Sequence, residues 1–324
     1  MRKIISLGFF LLPLPAIAHH GVAGVGVAGL NGPGAPIESA ASNVLPAGNI
    51  LAYYKIDDAQ FEKYDGFTPE ADYSRFNIFG LGYGFTSWFS AYTFIPYNEK
   101  IDEAGGLNSR GMADLSVMGQ IGWKYDNGFK LIPATESLDD LEDWHFSLFG
   151  GTTLPTGEAN HRLSNNSIDP SKALGFGESS YSLGLTASKM LTDKLTFNIE
   201  FSELHFQEYR YADSQRMKFG TENRFNAAVT YRTLIIPEHL FRLDSICEFQ
   251  YLAIGRDQAN SIPQLATGGK IGYIMPGIRV YWQNKSFALG IKKSVWTNLN
   301  EGDQQQGSEG KEKYRLIFSA SLLF

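Results

Sequence analysis

Residues 311–324 read K-E-K-Y-R-L-I-F-S-A-S-L-L-F. Counting back in twos from Phe324 gives Leu322, Ala320, Phe318, Leu316 and Tyr314, an apolar set. The alternate set, Leu323, Ser321, Ser319, Ile317, Arg315 and Lys313, is mostly small, polar or basic. A period of two is the signature of a strand, whose successive side chains leave opposite faces. A strand that is apolar on one side, polar on the other and aromatic at its end suits the closing of a barrel in a bilayer. One face meets lipid and the other a wet lumen. An edge strand of a soluble sandwich would alternate as well, so the tail has to be read with the rest of the chain.

Working back from it, similar segments recur from residue 49 onward. Strands are expected at about 49–57, 73–85, 88–98, 111–125, 143–155, 179–191, 194–207, 220–234, 239–253, 268–283, 286–297 and 312–324. That is an even set, as bacterial barrels require. In 179–191, Tyr181, Leu183, Leu185 and Ala187 oppose Ser182, Gly184, Thr186 and Ser188. In 194–207, Leu195, Phe197, Ile199 and Phe201 oppose Thr196, Asn198, Glu200 and Ser202, with a slip of phase expected near Glu203. In 220–234, Phe225, Ala227, Val229 and Tyr231 oppose Arg224, Asn226, Thr230 and Arg232. A soluble sandwich rarely keeps so many charges in register on one face of strands this long. The expected fold is an all-β, antiparallel up-and-down transmembrane barrel of about twelve strands.

The links alternate too. Short turns fall at Thr86-Ser87, Thr192-Asp193, Ile236-Pro237 and Asn284-Lys285, and longer links follow the odd strands. Short periplasmic turns and long outer loops are the barrel pattern. Residues 126–142 break it, being long on the periplasmic side. There Asp126-Asn127-Gly128 could turn a small extra hairpin, and the acidic run from Glu136 to Asp143 reads as a solvated face or short helix. Trp88, Trp123, Trp144 and Trp282 fall near the periplasmic ends and Trp296 near an outer end, as in an interfacial girdle.

The N-terminus supplies the address. Met1-Arg2-Lys3 is basic, Ile4 to Pro15 apolar, and Ala16-Ile17-Ala18 a small-x-small cleavage site. Residues 1–18 therefore read as a secretory signal peptide, and the expected destination is the bacterial outer membrane. Residues 19–48 are rich in Gly, Ala and Pro and carry no strand or helix period. They read either as a flexible periplasmic arm or as a plug in the barrel mouth. The plug is favoured, because small side chains fit a narrow lumen. Residues 49–324 form the barrel. A net charge of −6 argues against nucleic-acid partners. The one cysteine, Cys247, excludes an internal disulfide and reads as packing on a strand face.

The inward positions carry a mixed-charge set: Asp114, Gln120, Lys124, His145, Glu200, Arg224, Arg232, Asp244, Glu248, Lys270 and Arg315. They read as cross-strand pairs that hold the wall and as the lining of a permeation path, narrow in a barrel of this size. His145 and Ser147, two apart on one strand, resemble in spacing the outer-membrane phospholipase, another twelve-strand barrel. Trp144, Phe146 and Leu148 would face lipid, which turns His145 and Ser147 inward, whereas the phospholipase pair faces its substrate. A lipid-acting hydrolase is the enzyme alternative; otherwise no enzyme is expected. His19 and His20 would begin the mature chain and could chelate copper(II), the structural or metal-binding alternative. No phosphate-binding loop or zinc pattern is present and no cofactor is expected.

Several stretches together resemble one bacterial family. They are His19-His20-Gly21-Val22-Ala23, Gly32-Pro33-Gly34-Ala35-Pro36-Ile37-Glu38, Leu45-Pro46-Ala47-Gly48, Leu154-Pro155-Thr156-Gly157, Gly175-Phe176-Gly177 and the terminal strand. The chain resembles the phenol-degradation meta-pathway family of transporter-like outer-membrane proteins, over most of its mature length. The tail itself resembles the C-terminal signal of outer-membrane barrels. These resemblances imply a channel or transporter for small, hydrophobic or aromatic molecules. They also imply outer-membrane lipid and the barrel-assembly machinery as partners. No catalytic residue comes with them.

Overall fold

The computed structural model describes residues 32–61, 73–101, 108–162, 166, 168, 170–300 and 312–324. The expected signal peptide and both His19 and His20 lie outside the described residues. Twelve long strands make the wall, here β1 (Ile50–Phe61), β2 (Tyr73–Thr86), β3 (Phe89–Ile101), β4 (Leu115–Tyr125), β5 (Trp144–Leu154) and β6 (Ser180–Thr192). The remainder are β7 (Leu195–Phe206), β8 (Glu222–Ile236), β9 (Phe241–Ile254), β10 (Gly269–Trp282), β11 (Lys285–Leu299) and β12 (Glu312–Leu323). Each pairs antiparallel with its sequence neighbours, and β12 pairs with β1 from Leu51 opposite Leu323 to Phe61 opposite Glu312. The sheet is a closed cycle. Closure satisfies every ladder without leaving an edge, the condition a sheet must meet in hydrocarbon.

The outer surface explains the environment. Phe79, Leu81, Phe85, Leu183, Leu185, Phe201, Phe249, Leu289 and Ile291 all lie exposed on it, Leu183 by 60%. The inward face of the wall buries Ser188, Gln120, Asn198, Glu200 and Glu248. This is a globular protein turned inside out, which is stable only where the outer medium is lipid. An arginine at Leu185, near the middle of β6 and facing out, should therefore lower stability in vesicles by about 2–4 kcal/mol. Urea titration of the L185R protein in phospholipid vesicles reads the cost; an unchanged midpoint would contradict a lipid-facing wall.

Both ends are marked. The tight links of 2–4 residues at Ser87-Trp88, Asp193-Lys194, Pro237–Leu240 and Gln283-Asn284 lie at the end that also holds both barrel termini. Trp88, Trp123, Trp144 and Trp282 sit at this same end, with the Lys189 and Lys285 ammonium groups 5.5 and 4.9 Å from the Trp144 and Trp282 rings. At the far end Trp296 stacks near Tyr251 across Gly272 (centroids 6.4 Å apart). There short strands at 209–210, 216–218, 258–259 and 262–263 form a separate small sheet. Phe176, Phe206, Tyr211, Met217 and Phe219 pack beneath it in one apolar cluster.

Three details differ from the sequence expectation. No slip occurs at Glu203: the alternation runs on, with Leu204 and Phe206 pointing inward and buried. The change there is of surroundings, because the inside of β7 meets the apolar loop cluster while Glu203 and His205 are exposed outside. Lys313 is exposed and outward. The register between β1 and β12 shifts there, placing Glu312 opposite Phe61 and Tyr314 opposite Gln60. Lys270 is also outward and exposed, because β10 buries the odd positions Ile271, Tyr273, Met275 and Arg279.

The interior is zoned rather than uniformly wet. Near β1–β5, Tyr53, Phe76, Ile78, Tyr92, Phe94, Met118 and Phe149 make an apolar cluster. The charges concentrate on β7–β12 and β1.

Candidate permeation path

Residues 32–48 have no regular secondary structure, yet most of them are buried. A buried backbone without a ladder must find partners elsewhere. Here the partners are inward side chains of the wall. Glu248 of β9 accepts from the amides of Ile37, Glu38 (2.9 Å) and Ser39 (2.9 Å), and from Ser39 Oγ (2.5 Å). Glu200 of β7 accepts from Ala40 N at 2.7 Å, and Asp244 of β9 from Gly34 N at 3.2 Å. Ser188 and Ser90 accept from Ser42 N and Leu45 N. The carbonyls are met in turn: Asn198 donates to Gly34 O, Arg279 to Pro36 O (2.6 Å), Gln120 to Ala41 O and Tyr281 to Gly32 O. Such bonds to ionised groups contribute about 1.5–3 kcal/mol each. These contacts ring the lumen, so residues 32–48 form an inner segment crossing the interior.

One side chain of the segment is charged. Glu38 lies 3.0 Å from Lys292 Nζ and 4.0 Å from Lys55 Nζ, and accepts from Gln250. Lys55 reaches Asp57 at 3.8 Å, which binds Arg315 at 3.2 Å, which in turn pairs with Glu312. The segment is thus tied into a chain of alternating charge on β11, β1 and β12.

The wall makes room for it. A Cβ on Gly84 of β2 would stand 2.1 Å from Pro46 O and 2.6 Å from Leu45 O. A Cβ on Gly122 of β4 would stand 2.4 Å from a Val44 methyl. Both glycines point inward, and only the missing side chain lets the segment lie there.

The link 126–143, at the short-turn end, closes against the segment. Asn127 and Gly128, at φ +50° and +142°, turn a short hairpin that sets Leu131 opposite Trp123. The acidic run beyond it is not simply a solvated face. The side chain of Glu136 is buried, 2.6 Å from His145 Nε2 and 3.1 Å from Lys124 Nζ, and Asn43 donates to Leu138 O. Its partners are inward residues of β4 and β5, which pull one acid of the run into the mouth.

The sequence-derived lining residues divide accordingly. Gln120, Glu200, Asp244 and Glu248 hold the inner segment directly. Lys124 and His145 hold Glu136. Arg315 lies in the charge chain, and Arg224 pairs inward with Glu222. Arg232 faces inward near the short-turn end. Asp114 sits at the outer rim, where its carboxylate accepts from Gly157 N and Phe176 N and staples the 156–178 loop. Burial pushes its carboxyl above the usual aspartate range, against the pull of those amides. Lys270 does not belong to the set. Sequence reading missed Glu38, Lys55, Asp57, Arg242, Arg279, Lys292 and Glu312. The alternation of Arg279 with Tyr281 on β10 was the available signal.

Ser147 and His145 do not form a nucleophile–base pair. Ser147 Oγ bonds Gln120 at 2.9 Å and Thr186 at 2.7 Å, while His145 turns to Glu136 and to Asp143 O. Among the described residues no cluster of three or more His, Cys, Asp or Glu side chains is placed to hold a metal.

Comparison with solved structures finds an outer membrane channel from Pseudomonas putida F1 at 14% identity and TM-score 0.65, covering 89% of this chain and 100% of that one. The NanC porin is 10% identical with TM-score 0.41, over 85% of this chain and 99% of its own. LpxR from Salmonella typhimurium is 10% identical with TM-score 0.42, over 84% and 100%. The likeness to the Pseudomonas putida protein is one of fold, a closed transmembrane β-barrel; the other two are looser. No family model and no curated protein matches the sequence.

Proposed function

We propose that this chain is an outer-membrane channel or transporter for small, hydrophobic or aromatic molecules, with residues 32–48 as its internal constriction. The observation that carries this reading is the way the segment is held. It sits across the interior of a lipid-facing barrel without a β-ladder to the wall, anchored by Glu248, Glu200 and Asp244, with Ile37, Ala40 and Leu45 packed into apolar clusters of inward side chains. Such a constriction can shift without any change in the wall. The leader at residues 1–18 supports delivery across the inner membrane, and the terminal strand ending at Phe324 supports handling by the barrel-assembly machinery. The resemblance to the phenol-degradation meta-pathway family supports an aromatic or hydrophobic cargo, and the Tyr53–Tyr92–Phe94 cluster beside the segment offers it an apolar surface. The purified mature protein in planar bilayers is expected to give discrete conductance steps, and in liposomes to admit small aromatic solutes faster than empty vesicles do. Vesicles that neither conduct nor take up solute would overturn the proposal.

A further inference from the structure

At the short-turn end of the lumen three arginines gather on adjacent strands. Asp244 of β9 stands opposite Arg232 of β8 on one side and opposite Arg279 of β10 on the other. Arg242 bonds Asp244 through Nε at 2.6 Å. The guanidiniums of Arg242 and Arg279 lie 5.9 and 6.0 Å from the same Tyr281 ring. Three arginines thus flank one carboxylate, with Arg242 hydrogen-bonded to it, in a place where Arg279 and Arg242 are buried.

The donors are unequally used. Arg242 is taken by Asp244, and Arg279 by Pro36 O and Ser286 Oγ (3.3 Å). Arg232 Nε is buried and, among the described residues, meets no hydrogen-bond acceptor. Two residues away on the same inward face, Thr230 is 1% exposed and its Oγ1 also has no partner. A buried polar atom left unpaired is costly, because it has given up its bonds to water without replacement. Two such atoms two residues apart on one inward face, beside three arginines and one aspartate, suit an anion with more than one acceptor oxygen. The neighbouring donors already hold acceptors of that kind, a carboxylate on Arg242 and a peptide oxygen on Arg279. The planar guanidinium fork matches a carboxylate better than a point acceptor.

We propose that Arg232 and Thr230, backed by Arg242 and Arg279, form a binding site for an organic carboxylate at the periplasmic end of the lumen. This deepens the channel reading, on which it rests for the direction of traffic: the cargo is an aromatic or hydrophobic acid rather than a neutral molecule. Asp244 is already engaged by Arg242 and Gly34 N. Arg279, which backs the site, also holds Pro36 O of the inner segment. A bound acid therefore competes with the inner segment for the same positive field, and arrival of cargo weakens the hold on Pro36.

The test uses the full mature protein in detergent micelles, with thermal unfolding followed by tryptophan fluorescence. Benzoate is the probe, benzamide its neutral counterpart and inorganic phosphate the alternative anion. Benzoate is expected to raise the unfolding temperature in a saturable way, with benzamide and phosphate inactive at the same concentrations. Arg232→Gln should weaken the benzoate response roughly tenfold or more, and Thr230→Val by roughly fivefold. Arg232→Lys should fall between wild type and Arg232→Gln. Each variant is first checked for the heat-dependent gel mobility of a folded barrel, and Thr230→Val, nearly isosteric, serves if Arg232→Gln fails to fold. Equal responses to benzoate and benzamide would overturn the site. So would a benzoate response that survives both substitutions, or a phosphate response equal to that of benzoate. A protein that conducts but ignores benzoate loses this inference alone; one that binds benzoate and never conducts loses the channel reading alone.

Discussion

Excision of residues 32–45 should raise single-channel conductance several-fold and admit larger sugars in liposome swelling, while the barrel keeps its heat-dependent gel mobility. The expectation follows from where the stabilising contacts lie. The wall is a closed antiparallel cycle whose ladders make no use of the segment. The segment contributes side-chain and backbone contacts to inward groups only, and those groups become solvated when it leaves. Glu248, Glu200 and Asp244, together with Lys292, Lys55 and Arg279, then face water within one lumen. Unchanged conductance would place the limiting barrier elsewhere, the outer cluster of Phe176, Phe206 and Phe219 being the structural candidate. Loss of the folded barrel would contradict the separation of wall from segment.

Replacing Glu248 by Ala should release the segment without removing it. One carboxylate holds three consecutive amides and a hydroxyl. Its loss leaves those donors buried and unpaired, a cost of about 3–5 kcal/mol by analogy with breaking a buried charge contact. A docked segment held by a handful of such bonds becomes an exchanging one. The measurement is thiol accessibility of Ala41→Cys in a Cys247→Ala background, since Ala41 is 1% exposed. With Glu248 in place the cysteine should be protected from a water-soluble maleimide. In the Glu248→Ala protein it should react on the minute scale or faster, with added flicker in bilayer recordings. Glu248→Gln, which keeps an acceptor oxygen but not the charge, should lie between. Equal protection in all three would mean that Glu248 is not the main anchor.

The wall was legible because lipid imposes a simple rule on it. An outward face that must be apolar across the bilayer leaves a period of two, and β6, β7 and β8 follow it up to the register shifts at Met190–Thr192 and Arg232–Leu234. The rule weakens where lipid ends. Lys270 and Lys313 point outward near the strand tips, where a long side chain reaches water or headgroups at little cost. A reading that sends every charge inward misplaces them. It also weakens where the inside is apolar: β10 buries Ile271, Tyr273 and Met275, so neither face of that strand looks like a lumen. The inner segment was legible only as a composition. Its anchors Glu248, Glu200 and Asp244 were visible as inward charges, but what they bind is backbone amides, and amides leave no mark in a side-chain pattern. Glu136 failed for a related reason, since an acidic run announces solvent unless its basic partners, here Lys124 and His145, are known to lie beneath it.

Gly84 and Gly122 carry a consequence for how this molecule can be rebuilt. The backbone of Pro46 occupies the space a Gly84 side chain would need, and Val44 that of Gly122. Segment and wall are therefore cut to one outline, like a key and its ward. A chimera that grafts residues 32–48 onto another barrel will seat them only if the recipient carries hydrogen in place of a side chain at both positions. A foreign segment placed in this barrel inherits the same mould.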